Sequence, residues 1–230
     1  MSKVIGVTVG TNYDKSKLPS GGLTDDQAEA LNNLKAWYDK ENYEKMTASL
    51  SPTSTTYEIG TEKNLTFTWK FTKEVSSVTF NGQDVTKATS YTVNGVKSTT
   101  TFKVVGTRKD GEKETAEAST MISFHNKYFM GCAAKPAIID SGFIKGLTPY
   151  VGWASSRQKF TKTIDCPSGK YIWYAYPARL GGSMFKVGGF QGGFEPVQTV
   201  SFTNDSGHTE NYYVYRSTNA GLGTAEVQVL

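Results

Sequence analysis

The chain is poor in the residues that carry most catalytic and metal chemistry: its 230 residues include 2 histidines and 2 cysteines. A zinc site built on His125 and His208 would need Cys132 and Cys166 as well, and no C-x-x-C or H-x-x-x-H spacing brings such ligands together. The same scarcity argues against nucleophilic catalysis through a histidine, and no G-x-S-x-G elbow is present to activate a serine. One pair of cysteines is too few to read as a disulfide framework, so two reduced thiols are expected. No catalytic residue, metal or cofactor is expected.

Long apolar runs and basic clusters are missing too. Nothing approaches the roughly 18 apolar residues of a membrane-spanning helix, so no membrane insertion is expected. "MSKVIGVTVGTNYDKSK" has no secretory h-region, which points to synthesis in the cytoplasm. Lys+Arg number 25 against 21 Asp+Glu, a net charge of +4, and the longest basic cluster lies in "TRKD". A nucleic-acid surface concentrates Lys and Arg on one face, so no nucleic-acid partner is expected.

What the chain does have is Thr, Ser and Gly in abundance, with 13 Tyr and 12 Phe, a mixture that suits pleated surfaces and tight turns. A hydrophobic content of 37% can cover two cores of about 80 to 100 residues each. The expectation is a mostly-β protein in three parts: an N-terminal arm and docking helix over 1–45, a disulfide-free Ig-like β-sandwich over 46–126, and a C-terminal sandwich-like β domain over 127–230.

The arm contributes a short β-prone stretch, Val4, Ile5 and Val7, which either frays or adds to a neighbour's sheet edge. After it, "LTDDQAEALNNLKAWYDKENYEK" predicts a single amphipathic helix. Thr24 and Gln27 stand as a capping box, Leu23 and Ala28 as a staple, and Asp25 and Asp26 lie at the positive end of the helix dipole. Ala28, Leu31, Leu34, Trp37 and Tyr38 form an apolar stripe that packs either on its own chain or on a partner subunit.

From Met46 the period changes from helical to 2. "NLTFTWKF" alternates Leu65, Phe67, Trp69 and Phe71 against polar residues, and "SSVTF" runs into Asn81-Gly82, a strong hairpin signal. About six or seven short strands in some 80 residues read as an Ig-like sandwich. Beyond Phe124, "KPAIIDSGFIKGL" reads as a short helical or irregular connection, and six β-prone segments follow. The last two, "YYVYR" and "AEVQV", are expected to pair as a hairpin around "NAGLG".

Two motifs imitate chemistry. "AIIDSGF" around Asp140 looks like the Asp-Ser/Thr-Gly turn of aspartic proteases but lacks its second copy. "VGGFQGGF" is Gly-rich but lacks a Walker Lys-Ser/Thr, so it reads as a loop. Trp153, Trp173 and Tyr176 are candidate ligand-facing aromatics, although alternation in "KYIWYAYP" puts at least one aromatic row in a core.

The helix followed by "SPTSTTYEIGTEKNLTFTWKF" resembles modules of fibre and appendage proteins from tailed bacteriophages of gut Bacteroidetes, the crAss-like phages. "YYVYRSTNAGLGTAEVQV" is similar to the "YxVYRS…GLG…V" close of phage fibre and neck-associated proteins. The resemblance spans nearly all of 23–230. It implies a non-enzymatic virion protein, assembled in the host cytoplasm with capsid, neck or tail proteins as partners. It also implies a homo-oligomer such as a trimer, and the arm and helix stripe, Val4, Ile5, Val7, Leu31, Leu34, Trp37 and Tyr38, are the expected assembly interface. The β domains would project toward a host-surface glycan or protein. The alternative is a bacterial surface adhesin or a carbohydrate-binding module.

Overall fold

The computed structural model of the chain describes residues 25–109, 114–155 and 159–230. The chain divides into two compact units, Met1–Thr47 and Ala48–Leu230. Val4, Ile5, Val7, Leu23 and the expected cap Thr24 lie outside the described residues.

In the first unit, helix α1 spans Asp25–Glu41, with Asp25 and Asp26 in its first turn and Lys40 in its last, each sign complementing the helix dipole. Lys35 pairs with Asp39 one turn on. Asn42 closes the C-terminal end, its backbone N–H and side-chain amide both donating to the Tyr38 carbonyl. No residue of α1 is buried.

The second unit begins with eight strands: β1 (Ala48–Ser51), β2 (Thr55–Glu58), β3 (Lys63–Phe71), β4 (Val75–Phe80), β5 (Gln83–Asp84), β6 (Ser90–Val96), β7 (Thr100–Arg108) and β8 (Thr115–His125). They form two sheets in the orders β1-β3-β6 and β2-β8-β7-β4-β5. All pairings are antiparallel except β2 with β8. Strands β1, β3 and β6 take the places of A, B and E in an immunoglobulin domain, and β4, β7 and β8 those of C, F and G, so the sandwich is Ig-like by topology. Antibody domains pin B to F with a disulfide; here Phe67 on β3 meets Phe102 on β7, their ring centroids 4.5 Å apart, and Phe80 on β4 packs 5.2 Å from Phe67. The alternation read in β3 is the burial pattern observed, with Leu65, Phe67 and Trp69 inward. Asn81 and Gly82 both take positive φ in the turn between β4 and β5, and the Asn81 side chain accepts from Lys103 N at 2.8 Å.

A nine-stranded sandwich follows: β9 (Lys127–Ala133), α2 (Ser141–Lys145), β10 (Pro149–Trp153), β11 (Phe160–Cys166), β12 (Tyr171–Pro177), a 3₁₀ turn (Ala178–Leu180), β13 (Phe185–Val187), β14 (Phe190–Gln191), β15 (Phe194–Thr203), β16 (Thr209–Ser217) and β17 (Gly223–Val229). One sheet runs β10-β9-β12-β16-β15, the other β11-β17-β13-β14. Between them lies a core that includes Met130, Ile164, Ile172, Tyr174, Val227 and Val229. A further apolar cluster covers the other face of the five-stranded sheet, where Ile144 and Leu147 from the α2 segment pack with Phe129, Trp173, Phe202 and Tyr212.

Three expectations need correction. Among the described residues there are two α-helices, because Asp140 caps a short α2: its Oδ1 accepts from Phe143 N at 2.8 Å. "YYVYR" and "AEVQV" are not a hairpin, since β16 pairs with β12 and β15 whereas β17 pairs with β11 and β13 in the opposite sheet. The glycines of "NAGLG" turn a corner across the sandwich: Gly221, with φ +64°, donates to the Lys170 carbonyl, and a Cβ there would lie 3.1 Å from Ser168 Cα. The cysteines are not reduced: Cys132 and Cys166 are bonded. A spacing of 34 residues carries no signature, but the fold places β9 and β11 on facing sheets with the two Cα atoms 5.5 Å apart, within disulfide reach.

Among the described residues no helix is long and apolar enough to cross a membrane. Two predictions follow from the packing. Ile144→Ala, which opens the α2 cover, should cost about 2–5 kcal/mol, read as a lower urea midpoint at unchanged slope. Burial holds the Tyr174, Tyr212, Tyr128 and Tyr176 phenols protonated above their ordinary value of 10.0. Folded-state values raised in this way keep their stability contribution below that pH and lose it as the pH rises further, because the unfolded phenols ionise first. Stability should therefore be flat toward pH 10 from below and fall above it, with the phenolate absorbance of these four buried tyrosines appearing only on unfolding.

Candidate functional site

Two buried polar side chains, Asn126 and Asn204, lie where the two sandwiches meet. Strand β8 ends at His125 and β9 begins at Lys127, so Asn126 alone separates them. Asn126 is buried; its carbonyl accepts from Ala154 N at 2.8 Å and its side-chain amide donates to Glu210 Oε2. The turn after β2 is gripped by the turn between β15 and β16. Asn204, 5% exposed, donates through Nδ2 to the Ile59 carbonyl at 2.7 Å. Its Oδ1 accepts from Ser206 N and His208 N, each at 3.0 Å. One side chain thus shapes its own turn and holds the neighbouring sandwich. Gly60 completes the fit, because a Cβ there would stand 2.6 Å from His208 Cβ and its φ is +91°.

Charges surround this clamp. Lys127 Nζ lies 2.8 Å from Glu58, and Arg179 Nε lies 2.6 Å from Glu210 Oε1, an ion pair without hydrogen-bond alignment. The Tyr212 hydroxyl donates to the Lys127 carbonyl at 2.8 Å. Burial raises its pKa, and the carboxylates of Glu210 and Glu58 raise it further. An open hollow of about 600 Å³ adjoins these groups, lined by Ile59, Arg179, His208, Glu210 and Asn211 among others. His208 Nε2 stands 3.7 Å from Glu210 Oε2, beyond hydrogen-bond reach, so the carboxylate does not orient the imidazole as a catalytic base requires. The arrangement joins the surfaces of the two sandwiches.

The other sequence candidates lie elsewhere. Asp140 is a helix cap. "VGGFQGGF" is the β13–β14 hairpin and the start of β15, with Gly188 and Gly189 at positive φ in its turn. Of the aromatics, Trp153 is 41% exposed, with Lys127 Nζ 5.8 Å from its ring. Trp173 and Tyr176 are buried, which removes them from any ligand-facing role. They flank opposite faces of β12, and both faces are covered: Trp173 by Phe143 in an edge contact, while the Tyr176 hydroxyl donates to the Ser155 carbonyl. On α1, Leu31, Leu34, Trp37 and Tyr38 are between 44% and 58% exposed. Among the described residues no group of three or more His, Cys, Asp and Glu could hold a metal ion. Sequence reasoning did not assign Asn126 or Asn204 to a junction; both stand at strand ends.

No family model and no curated protein matches the chain. Among solved structures it is similar to the N-terminal eight Ig domains of Down Syndrome Cell Adhesion Molecule (DSCAM) isoform 1.30.30, at 14% identity and a TM-score of 0.28. That match covers 80% of this chain and spans about a quarter, 26%, of the other.

Asn204→Ala, which strands the Ile59 carbonyl and two turn N–H groups, should cost about 1–3 kcal/mol. Gly60→Ala should disturb the same contact by steric clash. For both, small-angle scattering should report a wider spread of inter-sandwich distances than the parent chain gives.

Proposed function

We propose that this protein is a non-enzymatic structural component of a bacteriophage virion, a head or tail fibre or appendage protein. It attaches to capsid, neck or tail proteins, or to sister subunits, through its N-terminal arm and α1. Its paired sandwiches serve as a projecting segment whose outer surface is available to a host glycan or protein. The observation that carries this reading is the exposed row Leu31, Leu34, Trp37 and Tyr38 on α1. An apolar helix face of this kind is a docking surface, since leaving it in water forfeits the burial that stabilises amphipathic helices. The clamped junction supports the second half of the reading, because a spacer needs its modules held in one orientation. The resemblance of the helix, the Ig-like segment and the "YYVYRSTNAGLG" close to phage fibre and appendage proteins supplies the setting.

A second reading, a surface adhesin or carbohydrate-binding module, is favoured by one observation: Trp153 keeps part of its ring in solvent.

The deciding measurement is mass spectrometry of density-purified phage particles, with copy number taken relative to the major capsid protein. Stoichiometric presence is expected; absence from intact particles would sink the virion reading. Sedimentation of the full chain should show a closed homo-oligomer, trimeric or otherwise symmetric, that Leu34→Asp with Trp37→Asp returns to monomer. A parent chain that is already monomeric at micromolar concentration would leave docking on other virion proteins as the role of α1.

A further inference from the structure

We propose that Cys132 is a thiol-exchange site and that the Cys132–Cys166 bond is a lock closed after the second sandwich has folded. The inference rests on the geometry of that sandwich and not on the virion reading.

Each cysteine is positioned by ladders that do not involve sulfur. Cys132 on β9 stands opposite Ile172 of β12, and Cys166 ends β11 opposite Gly223 of β17. The facing sheets pack through Met130, Ile164, Ile172, Tyr174 and Val227, a core to which Cys166 also belongs. The 5.5 Å separation of the two Cα atoms is thus a product of sheet packing, and the dithiol chain has every other contact it needs to fold.

The two sulfurs differ in access. Cys166 is 0% exposed, whereas Cys132 is half-buried and lines an open hollow of about 280 Å³. Lys170 and Asp165 line the same hollow. A small disulfide therefore meets Cys132 first. The Cys132 thiolate attacks one sulfur of oxidised glutathione, forming a mixed disulfide and releasing one glutathione thiolate. The buried Cys166, as thiolate, then attacks Cys132 Sγ and expels the second. The balance is two protein thiols and one glutathione disulfide giving one cystine and two glutathione thiols. Reduction runs the same path backwards: an external thiolate attacks Cys132 Sγ, and Cys166 leaves with the bonding pair and takes up a proton. A chain made in a reducing cytoplasm would fold with both thiols free and acquire its lock on meeting an oxidising environment.

The test uses the full chain in native buffer. Reduction by dithiothreitol without denaturant should yield two titratable thiols while the amide spectrum keeps its folded dispersion. Brief exposure of that reduced chain to oxidised glutathione, quenched with acid and mapped by peptide mass, should place the transient adduct on Cys132. With an aromatic disulfide reagent, Cys166→Ser should react at least about tenfold faster than Cys132→Ser, whose remaining thiol is buried. An adduct on Cys166, equal rates for the two variants, loss of the folded spectrum on reduction, or a bond that resists dithiothreitol until denaturant is added would each overturn the proposal. The adduct map needs no substitution, so it decides the matter even where a serine variant fails to fold.

Discussion

Asn126 is the constraint on which the second unit turns. With a single residue between β8 and β9, the last strand of one sandwich hands its direction almost directly to the first strand of the next. A free linker of that length could still swivel about its two backbone dihedrals. Swivelling is opposed because the Asn126 carbonyl and side chain are both engaged by the second sandwich. The grip of the Asn204 turn on Ile59 adds a second point of attachment away from the chain path. Two separated points fix an orientation where one would allow rotation, which makes Ala48–Leu230 one compact unit and not two beads on a string.

How far the sequence could be read depended on whether a feature was local. Alternation in β3 and the Asn81-Gly82 turn were legible because each is decided within a few residues by face and by φ. The Ig-like order followed from counting such strands. The closing pair failed for the same reason: two adjacent β segments with glycines between them look alike whether they share a sheet or cross to the facing one. Gly221 donates to the carbonyl of Lys170, some fifty positions back, a contact that no local pattern announces. The cysteines belong to the same class, since their meeting depends on which sheets β9 and β11 join. The stripe of α1 was legible by its period, and Leu31, Leu34, Trp37 and Tyr38 stand exposed in the structure. Asn126 and Asn204 were not legible, because a polar residue at a strand end looks like any turn residue until its partner arrives from another domain.

The aromatics of β12 show the limit of alternation most clearly. A period of 2 assigns Ile172, Tyr174 and Tyr176 to one face and Tyr171, Trp173 and Ala175 to the other, and the structure keeps that division. What it adds is a lid. The connection from β9 to β10 folds back over the sheet, with Ile144 and Leu147 fully buried, turning a face that would have been solvent-exposed into a second core. Asp140 matters for this reason: by capping α2 it sets the turn that aims Phe143 at Trp173. The residue that looked like half of a catalytic dyad is the hinge pin of the lid. β12 uses Trp173, Tyr174 and Tyr176 for packing, whereas at the sheet edge β10 leaves Trp153 41% exposed.

The junction contains both ion pairs and amide hydrogen bonds, and their magnitudes decide which holds it. Exposed ion pairs are worth roughly 0 to 1 kcal/mol and weaken with salt. Arg179 is 53% exposed on its side chain, so its pair with Glu210 belongs near that range. Asn204, by contrast, is buried and satisfies one acceptor and two donors on the backbone. Removing it leaves desolvated groups unpaired at about 1–3 kcal/mol for such a group, with no solvent to compensate. The orientation of the two sandwiches therefore rests on the Asn126 and Asn204 side-chain amides and on the close fit of Gly60 against His208, with the exposed ion pair of Arg179 adding less. A joint built this way keeps its geometry across changes of salt that would loosen one built on charge.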